Sequence, residues 1–121
     1  MKILVLGASG MMGHVIATYL KEKNHDVQTL SMSTPLDSDT VMLDIMQKQK
    51  LEDYLDSSEF NAVINAAGVL IEQSEKEKDV AVYMNAYLPH LLEKRYEGTK
   101  TKVVQLSTDC VFSGKNGPYK E

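Results

Sequence analysis

The chain of 121 residues is 43% hydrophobic, and its 13 Lys plus Arg against 17 Asp plus Glu give a net charge of −4. This length accommodates one domain with a substantial core, and the acidic balance argues against nucleic acid or a membrane as a partner. The single cysteine, Cys110, excludes an internal disulfide and a zinc site built from several thiolates, as is typical of cytoplasmic proteins. The start of the sequence lacks a signal-peptide pattern and no apolar stretch approaches ~20 residues, so we expect a soluble protein.

Short apolar runs alternate with helical periodicity along the chain. Residues 2–6 form an apolar run typical of a strand buried on both faces, and we expect this strand at the centre of a sheet. A helix of about three turns begins near Met12 and ends before Asn24. Further strands are predicted at 26–30, 40–43, 60–66 and 103–106, and further helices at 47–55 and 80–96. The alternation predicts a Rossmann-like α/β fold, a doubly wound parallel sheet of about five strands joined by right-handed crossovers.

Two segments depart from regular periodicity. The charged run at 72–79 is interpreted as a solvated loop and the start of a helix. Pro89 lies inside the helix predicted at 80–96, where a proline removes one backbone hydrogen bond and costs ~3 kcal/mol. We therefore expect a kink or bend near Ala86, and a loop from Thr108 onward.

Three glycines, Gly7, Gly10 and Gly13, stand between the first strand and the first helix. Gly7 would allow a sharp turn, Gly10 would let a pyrophosphate approach the backbone, and Gly13 would let the helix pack against the strand. Backbone amides near Met11 and Met12, at the positive end of the helix, would donate to phosphate oxygens. A tight turn without a ligand is the alternative, but the strand before and the helix after favour nucleotide binding.

The segment after the second strand bears on the choice of dinucleotide. In dinucleotide-binding folds an acidic residue ~20 residues beyond the glycine loop usually binds the adenosine ribose. The corresponding segment, Leu30–Ser33, has no carboxylate. A 2′-phosphate would therefore not be repelled, and Ser31 or Ser33 would donate to it. Because no arginine completes such a site, the sequence favours NADP over NAD only weakly.

The last apolar run ends in Ser107, Thr108 and Asp109. Polar residues at the carboxyl end of a strand are where α/β enzymes place their chemistry. The alternative is that Thr108 and Asp109 only end the strand and cap a turn. Cys110 is interpreted as a packed thiol rather than a nucleophile, because no histidine lies near it in the sequence.

Other polar residues have structural alternatives to a functional role. His14, His25 and His90 share no metal-ligand spacing, so no metal site is predicted. Asn65 and Asn85 are either structural amides that satisfy buried backbone groups or part of the site.

Three segments together resemble an extended short-chain dehydrogenase/reductase: GASGMMG at 7–13, NAAG at 65–68, and STDCVFSG with GPYKE within 107–121. The dTDP-4-dehydrorhamnose reductase family is the most similar within that superfamily. The resemblance implies a dinucleotide cofactor, NADP or NAD, and a nucleotide-sugar substrate. It also implies a set of cofactor-binding residues, namely Gly7, Gly10, Met11, Met12, Gly13, Ser31, Ser33, Asp44, Ile45, Ala66, Ala67, Gly68 and Asn85.

The same resemblance implies a reaction. Hydride passes from the nicotinamide to a C4 ketone of the sugar, Thr108 polarises the carbonyl as a catalytic residue, and a tyrosine beside a lysine donates a proton. That Tyr-x-x-x-Lys pair is expected beyond residue 121, since Tyr119 and Lys120 are adjacent and nothing in the chain replaces it. Cys110 stands where the family commonly has tyrosine. We therefore expect residues 1–121 to be an incomplete NAD(P)-binding domain, without a substrate-binding lobe and inactive alone.

Two other functions are compatible with these segments. One is a nucleotide-sugar epimerase or dehydratase of the same superfamily, and the other is a non-catalytic regulatory subunit that binds a dinucleotide. A lone domain of this kind is also expected to expose an apolar surface, which would favour a homo-oligomer.

Overall fold

Strands and helices alternate in the computed structural model, which describes residues 1–108, 113–115 and 117. The strands are β1 Lys2–Leu6, β2 Asp26–Ser31, β3 Val41–Met42, β4 Ala62–Asn65 and β5 Lys102–Gln105. The helices are α1 Met11–Glu22, α2 Lys48–Asp56, α3 Ile71–Lys76, α4 Lys78–Val82 and α5 Leu88–Tyr96. A π-helical turn, Tyr83–Tyr87, joins α4 to α5 and is called the π turn below. Within the described residues, no helix is long and apolar enough to cross a membrane.

The five strands form one parallel sheet in the order β3-β2-β1-β4-β5. β1 is the central strand, and its Leu4 is paired with Gln28 of β2 and with Val63 of β4. The predicted Rossmann-like architecture, with β1 at its centre, is therefore confirmed.

Burial on both faces explains why β1 is apolar throughout instead of alternating. Leu4 and Leu6 are fully buried in a core that they share with leucines of α2 and α5. Ile3 and Val5 belong to the core on the opposite face, where Ala17 of α1 packs against them. Each such side chain contributes about 1.5–3 kcal/mol relative to an exposed one, so the strand is fixed by its neighbours on both faces.

Individual apolar side chains are exposed on α1 and β5, and the predicted apolar surface stays a prediction. α1 packs against β1 and β2, and its outer residues Val15 and Tyr19 are 60% and 56% exposed. Val104 of β5 is 45% exposed. The oligomeric state that this surface supports stays a prediction.

The charged run at 72–79 is largely helical, so its interpretation as a loop is wrong. α3 covers most of it and α4 begins at Lys78. Glu72 accepts from the Lys76 ammonium at 2.7 Å, and the Gln73 amide donates to Glu77 at 2.8 Å. Pairs at this spacing stabilise an exposed helix by about 0.2–0.5 kcal/mol each, which explains a helix without a buried residue.

The helix predicted at 80–96 is divided by the π turn. Pro89 lies in the first turn of α5, where its missing N–H is tolerated. Four residues earlier, the Asn85 carbonyl receives no bond from Pro89, and the hydrogen-bond register widens there. The irregularity expected near Ala86 thus takes the form of a π turn.

Candidate functional site

The chain changes direction across the sheet at β1. β2 and β3 extend to one side of β1, whereas β4 and β5 extend to the other. In open parallel sheets, the crevice beyond the carboxyl ends of the strands at such a reversal is where ligands bind. The structure has a cavity of about 220 Å³ at this place, which we call the switch cavity. The predicted cofactor residues that line it are Gly7, Gly10, Ser31, Ser33, Ile45, Ala66, Ala67 and Gly68.

The glycine loop forms the floor of the switch cavity and shows why glycine is needed. Gly7 has a φ of +74°, and a Cβ added there would lie 2.7 Å from the amide nitrogen of Ala67. The amides of Gly7 and Ala8 both donate to the Leu30 carbonyl, at 3.0 and 3.1 Å. The loop therefore turns sharply between β2 and β4, which brings both neighbouring strand ends to one cavity.

Gly13 and Gly10 have different surroundings. A Cβ on Gly13 would overlap the Gly7 carbonyl, and Gly13 is buried where α1 meets the loop. Gly13 thus has the packing role that was predicted for it, and it does not line the cavity. Gly10 precedes the first turn of α1 with no side-chain cap, and it does line the cavity. An uncapped helix start beside a cavity offers amide donors to an anion.

The methionines at the start of α1 lie outside the switch cavity. Met11 is 82% exposed and Met12 is 52% exposed, and neither lines the cavity. The prediction for these two residues concerned their backbone amides and not their side chains. It therefore stays a prediction.

Two serine hydroxyls meet at the end of β2. The Ser31 hydroxyl, buried to 1% exposure, donates to the Ser9 hydroxyl at 2.6 Å. Ser9 was not predicted, although it lies in the glycine segment. Because the Ser31 proton is used by Ser9, the hydroxyls of Ser9 and of the exposed Ser33 are the ones placed to donate to a ligand.

Asp44 does not line the switch cavity. Its carboxylate accepts the Met46 amide at 3.0 Å and the Gln47 side-chain amide at 3.3 Å, so it holds the turn that enters α2. Ile45, the next residue, is 2% exposed and does line the cavity. Of the two residues predicted in this loop, Ile45 lines the cavity and Asp44 holds the turn beside it, and a cofactor contact for either stays a prediction.

Asn65 and Asn85 are structural amides that hold the loop after β4. Asn65 is fully buried, accepts the Ala67 amide at 3.2 Å and donates to Gln105 at 2.8 Å. Asn85 accepts the Val69 amide at 3.0 Å and donates to the Val69 carbonyl at 3.0 Å. Asn85 does not line the switch cavity, and both ends of its amide contact the backbone of Val69, so its predicted part in the cofactor site stays a prediction.

Several residues that line the switch cavity were not predicted. They have apolar or neutral side chains, and none of them was named as a site residue: Leu30, Met32, Met46, Val69, Gln73, Val80 and Met84. Val80 and Met84 lie in the helix predicted at 80–96, but helical periodicity does not separate core residues from residues that line a cavity. Together with Ile45, they give the site a largely apolar wall, as is usual for sites that bind planar ring systems.

Thr108 follows β5 at the same edge of the sheet as the switch cavity. It is exposed and does not line the cavity. Asp109 and Cys110 lie outside the described residues. The assignment of Thr108 as catalytic is thus neither supported nor contradicted by a contact with the cavity, and it stays a prediction.

Two residue pairs in the chain have the Tyr-x-x-x-Lys spacing, and neither lies at the switch cavity. The first is Tyr19 on α1 with Lys23 just after that helix, where the ammonium lies 5.4 Å from the centre of the exposed ring. The second is Tyr96 with Lys100, which lines a depression with Phe60 at the opposite edge of the sheet. Burial raises the pKa of Tyr96, which is the opposite of what an activated proton donor requires.

The described residues contain no group of three or more His, Cys, Asp or Glu side chains that could hold a metal ion. None of the described residues that line the switch cavity is charged. A ligand there would be held by backbone amides, hydroxyls and apolar contacts.

The chain is similar to several known proteins. A family model described as the RmlD substrate binding domain matches residues 1–121. The dTDP-4-dehydrorhamnose reductase of Streptomyces griseus is 30% identical, with 98% of this chain and 37% of that protein covered. The crystal structure of a hypothetical dTDP-4-dehydrorhamnose reductase from Sulfolobus tokodaii has a TM-score of 0.88 and 30% identity, and covers 100% of this chain and 44% of the other.

A further solved structure shares the fold. The dTDP-4-dehydrorhamnose reductase of Bacillus anthracis in complex with NADP has a TM-score of 0.77 at 23% identity, covering 95% of this chain and 39% of that one. The chain spans between 34% and 42% of the length of the curated relatives that it matches. The match of the family model over the whole sequence shows that the chain belongs to the RmlD substrate-binding domain family.

Proposed function

We propose that this chain supplies the dinucleotide-binding part of an NAD(P)H-dependent reductase that acts on a 4-keto nucleotide sugar. The observation behind the proposal is the switch cavity, which the glycine loop, the end of β2 and the loop after β4 build together. The relatives named as dTDP-4-dehydrorhamnose reductases support the substrate class. The Tyr-x-x-x-Lys pair of such an enzyme would come from outside residues 1–121.

The residues of the switch cavity fit a dinucleotide. Gly10 and the uncapped start of α1 would receive the pyrophosphate, Ser9 and Ser33 the adenosine ribose, and Ile45 with neighbouring apolar residues the adenine. One wall of the cavity is formed by Ala66, Ala67 and Gly68, whose side chains are small or absent. A ribose and a phosphate would lie along the backbone there. When bound, the cofactor supplies hydride, while the chain binds, orients and excludes water from it. Thr108, at the same edge, would donate to the substrate carbonyl.

NADP is the dinucleotide that the site favours. Among the described residues, no carboxylate lines the cavity near Ser31–Ser33, so a 2′-phosphate would meet hydroxyl donors and no repelling charge from them. The absence of a lysine or arginine from the same described lining leaves the preference modest, because a bidentate cation is the strongest phosphate ligand.

Calorimetric titration of the protein with NADPH and with NADH tests the proposal. We expect both to bind and NADPH to bind more tightly. Ser33→Asp adds a carboxylate on the exposed rim of the cavity, and we expect it to weaken NADPH roughly tenfold more than NADH, since one charge pair at ~4 Å in water costs ~1 kcal/mol and the phosphate carries nearly two charges.

Ser38→Asp is the matched control for that titration. Ser38 is an exposed serine of the same loop, and it does not line the switch cavity. Its variant should leave the ratio of the two dissociation constants unchanged. Failure of the wild-type protein to bind either dinucleotide would overturn the proposed function. Turnover of a dTDP-4-keto sugar by residues 1–121 alone would overturn the proposal that the Tyr-x-x-x-Lys pair comes from outside these residues.

A further inference from the structure

The π turn contacts both walls of the switch cavity. On one side, the Tyr83 hydroxyl donates to the carbonyl of Ile45 at 2.8 Å, 38 residues away in the sequence. On the other side, the Asn85 amide makes its two hydrogen bonds with the backbone of Val69. Met84, between them, is 5% exposed and lines the cavity itself. Three consecutive side chains of one turn therefore reach the loop after β3, the cavity and the loop after β4.

The geometry of a π turn permits this arrangement. In an α-helix, neighbouring side chains are about 100° apart, and one turn presents one or two of them to a given wall. The wider π register changes where successive side chains point, and such turns occur frequently at functional sites. Here Pro89 lies just beyond the turn, where it prevents a regular α-helical bond to Asn85.

The Asn85 contact is specific for an amide. Its Oδ1 accepts and its Nδ2 donates, so the side chain pairs with the Val69 amide and carbonyl in the way that a neighbouring strand would. Gly68 leaves room for it, since a Cβ on Gly68 would lie 3.2 Å from Asn85 Oδ1. Burial raises the pKa of Tyr83, which keeps its hydroxyl a proton donor to Ile45.

We propose that the π turn is a clamp that fixes the two loops of the switch cavity relative to each other, with Asn85 and Tyr83 as positioning residues for the dinucleotide. The identity of the ligand rests on the proposed function. The clamp itself rests on the hydrogen bonds of Tyr83 and Asn85 described above. Neither residue need touch the ligand. Loss of either contact frees one wall, so the ligand must then order that wall when it binds.

Asn85→Ala and Asn85→Asp test the clamp, with Asn61→Ala as the matched control. Both Asn85 variants should weaken NADPH about tenfold by calorimetry, since N85D keeps the shape but replaces the donor with a second acceptor that faces a carbonyl. Asn61 accepts the Lys2 amide at 2.7 Å at the opposite edge of the sheet. N61A therefore loses one amide-to-backbone hydrogen bond, where N85A loses two, and it should keep the wild-type dissociation constant.

Tyr83→Phe and Tyr54→Phe form a second matched pair. Tyr54 donates to Gln28 at 2.9 Å and does not line the switch cavity, so Y54F removes a tyrosine hydrogen bond without freeing a cavity wall. Y83F should raise the NADPH dissociation constant severalfold at unchanged stoichiometry, and Y54F should not. A variant that only destabilises the fold would instead lower the stoichiometry. Equal effects within either pair would overturn the clamp.

Amide hydrogen exchange of the unliganded protein separates this inference from the proposed function. N85A should speed exchange at Val69 by at least tenfold while exchange in β1 stays unchanged. Unchanged exchange at Val69 would overturn the clamp even if the dinucleotide binds. If the wild-type protein binds no dinucleotide, the proposed function and the role of the clamp in dinucleotide binding are both overturned. Faster exchange at Val69 in N85A would still support the contact between Asn85 and Val69.

Discussion

At the scale of single residues, Gly7 is held by two separate constraints. Its φ of +74° favours glycine, and a Cβ would lie 2.7 Å from the Ala67 nitrogen. Gly98 has the first constraint without the second, since its φ is +72° and nothing lies within 4 Å of an added Cβ. The two positions therefore allow backbone strain to be separated from steric overlap.

Gly7→Ala should destabilise the protein more than Gly98→Ala. Both variants pay about 1–2 kcal/mol for a left-handed alanine, and G7A adds about 1–3 kcal/mol because the backbone at Ala67 must move. Urea unfolding midpoints at constant m-value measure the difference. Equal losses of unfolding free energy in the two variants would show that the backbone at Ala67 moves aside without a measurable cost.

At the scale of elements, the loop from β2 to β3 is tied to α1 through one carboxylate. Asp37 pairs with the Lys21 ammonium of α1 and accepts from the Thr40 hydroxyl at 3.0 Å. The Thr40 oxygen also accepts the backbone amides of Leu36 and Asp37, each at 3.0 Å. These bonds use Thr40 in the loop, which explains why β3 begins at Val41 and is shorter than the strand predicted at 40–43.

The Asp37 contacts make the stability of this loop depend on pH. The hydrogen bond from Lys21, followed by that from Thr40, holds the pKa of Asp37 below its usual range despite an opposing effect of burial. A lowered folded-state pKa stabilises the protein above the unfolded-state value of about 3.9, and this contribution is lost as the pH falls through the folded-state pKa. Asp37→Asn should therefore flatten the acid limb of a urea-midpoint profile, whereas Asp39→Asn, at an exposed carboxylate of the same loop, should reproduce the wild-type profile.

Elements that depend on local chemistry were predictable, and those that depend on tertiary partners were not. β1 and the glycine loop follow from a buried apolar run and from glycine spacing, and both were located correctly. The π turn depends on Pro89 together with contacts to Ile45 and Val69, which are 38 and 16 residues away in the sequence. The contacts of Asn85 with Val69 were not predictable for the same reason, because sequence does not tell whether an amide contacts a ligand or a distant backbone.

At the scale of the whole molecule, the switch cavity brings together segments from four of the five strands. Its lining comes from the segments after β1, β2, β3 and β4 and from the π turn. β1 joins them because it pairs with β2 on one side and with β4 on the other. No single supersecondary unit contains the site, so a dinucleotide that binds it binds the native state and not the unfolded chain.

Dinucleotide binding should therefore raise the melting temperature of the protein by an amount that depends on the ratio of the dinucleotide concentration to its dissociation constant. At NADPH 100 times above its dissociation constant, native-state stability rises by about 2.7 kcal/mol, which corresponds to roughly 10 °C for a domain of this size. Differential scanning calorimetry measures the shift. At the same NADPH concentration, N85A should show about half of it, because a tenfold weaker site leaves the ligand at about 10 times the new dissociation constant. A full wild-type shift in N85A would contradict the clamp, and no shift in the wild type would contradict binding to the native fold.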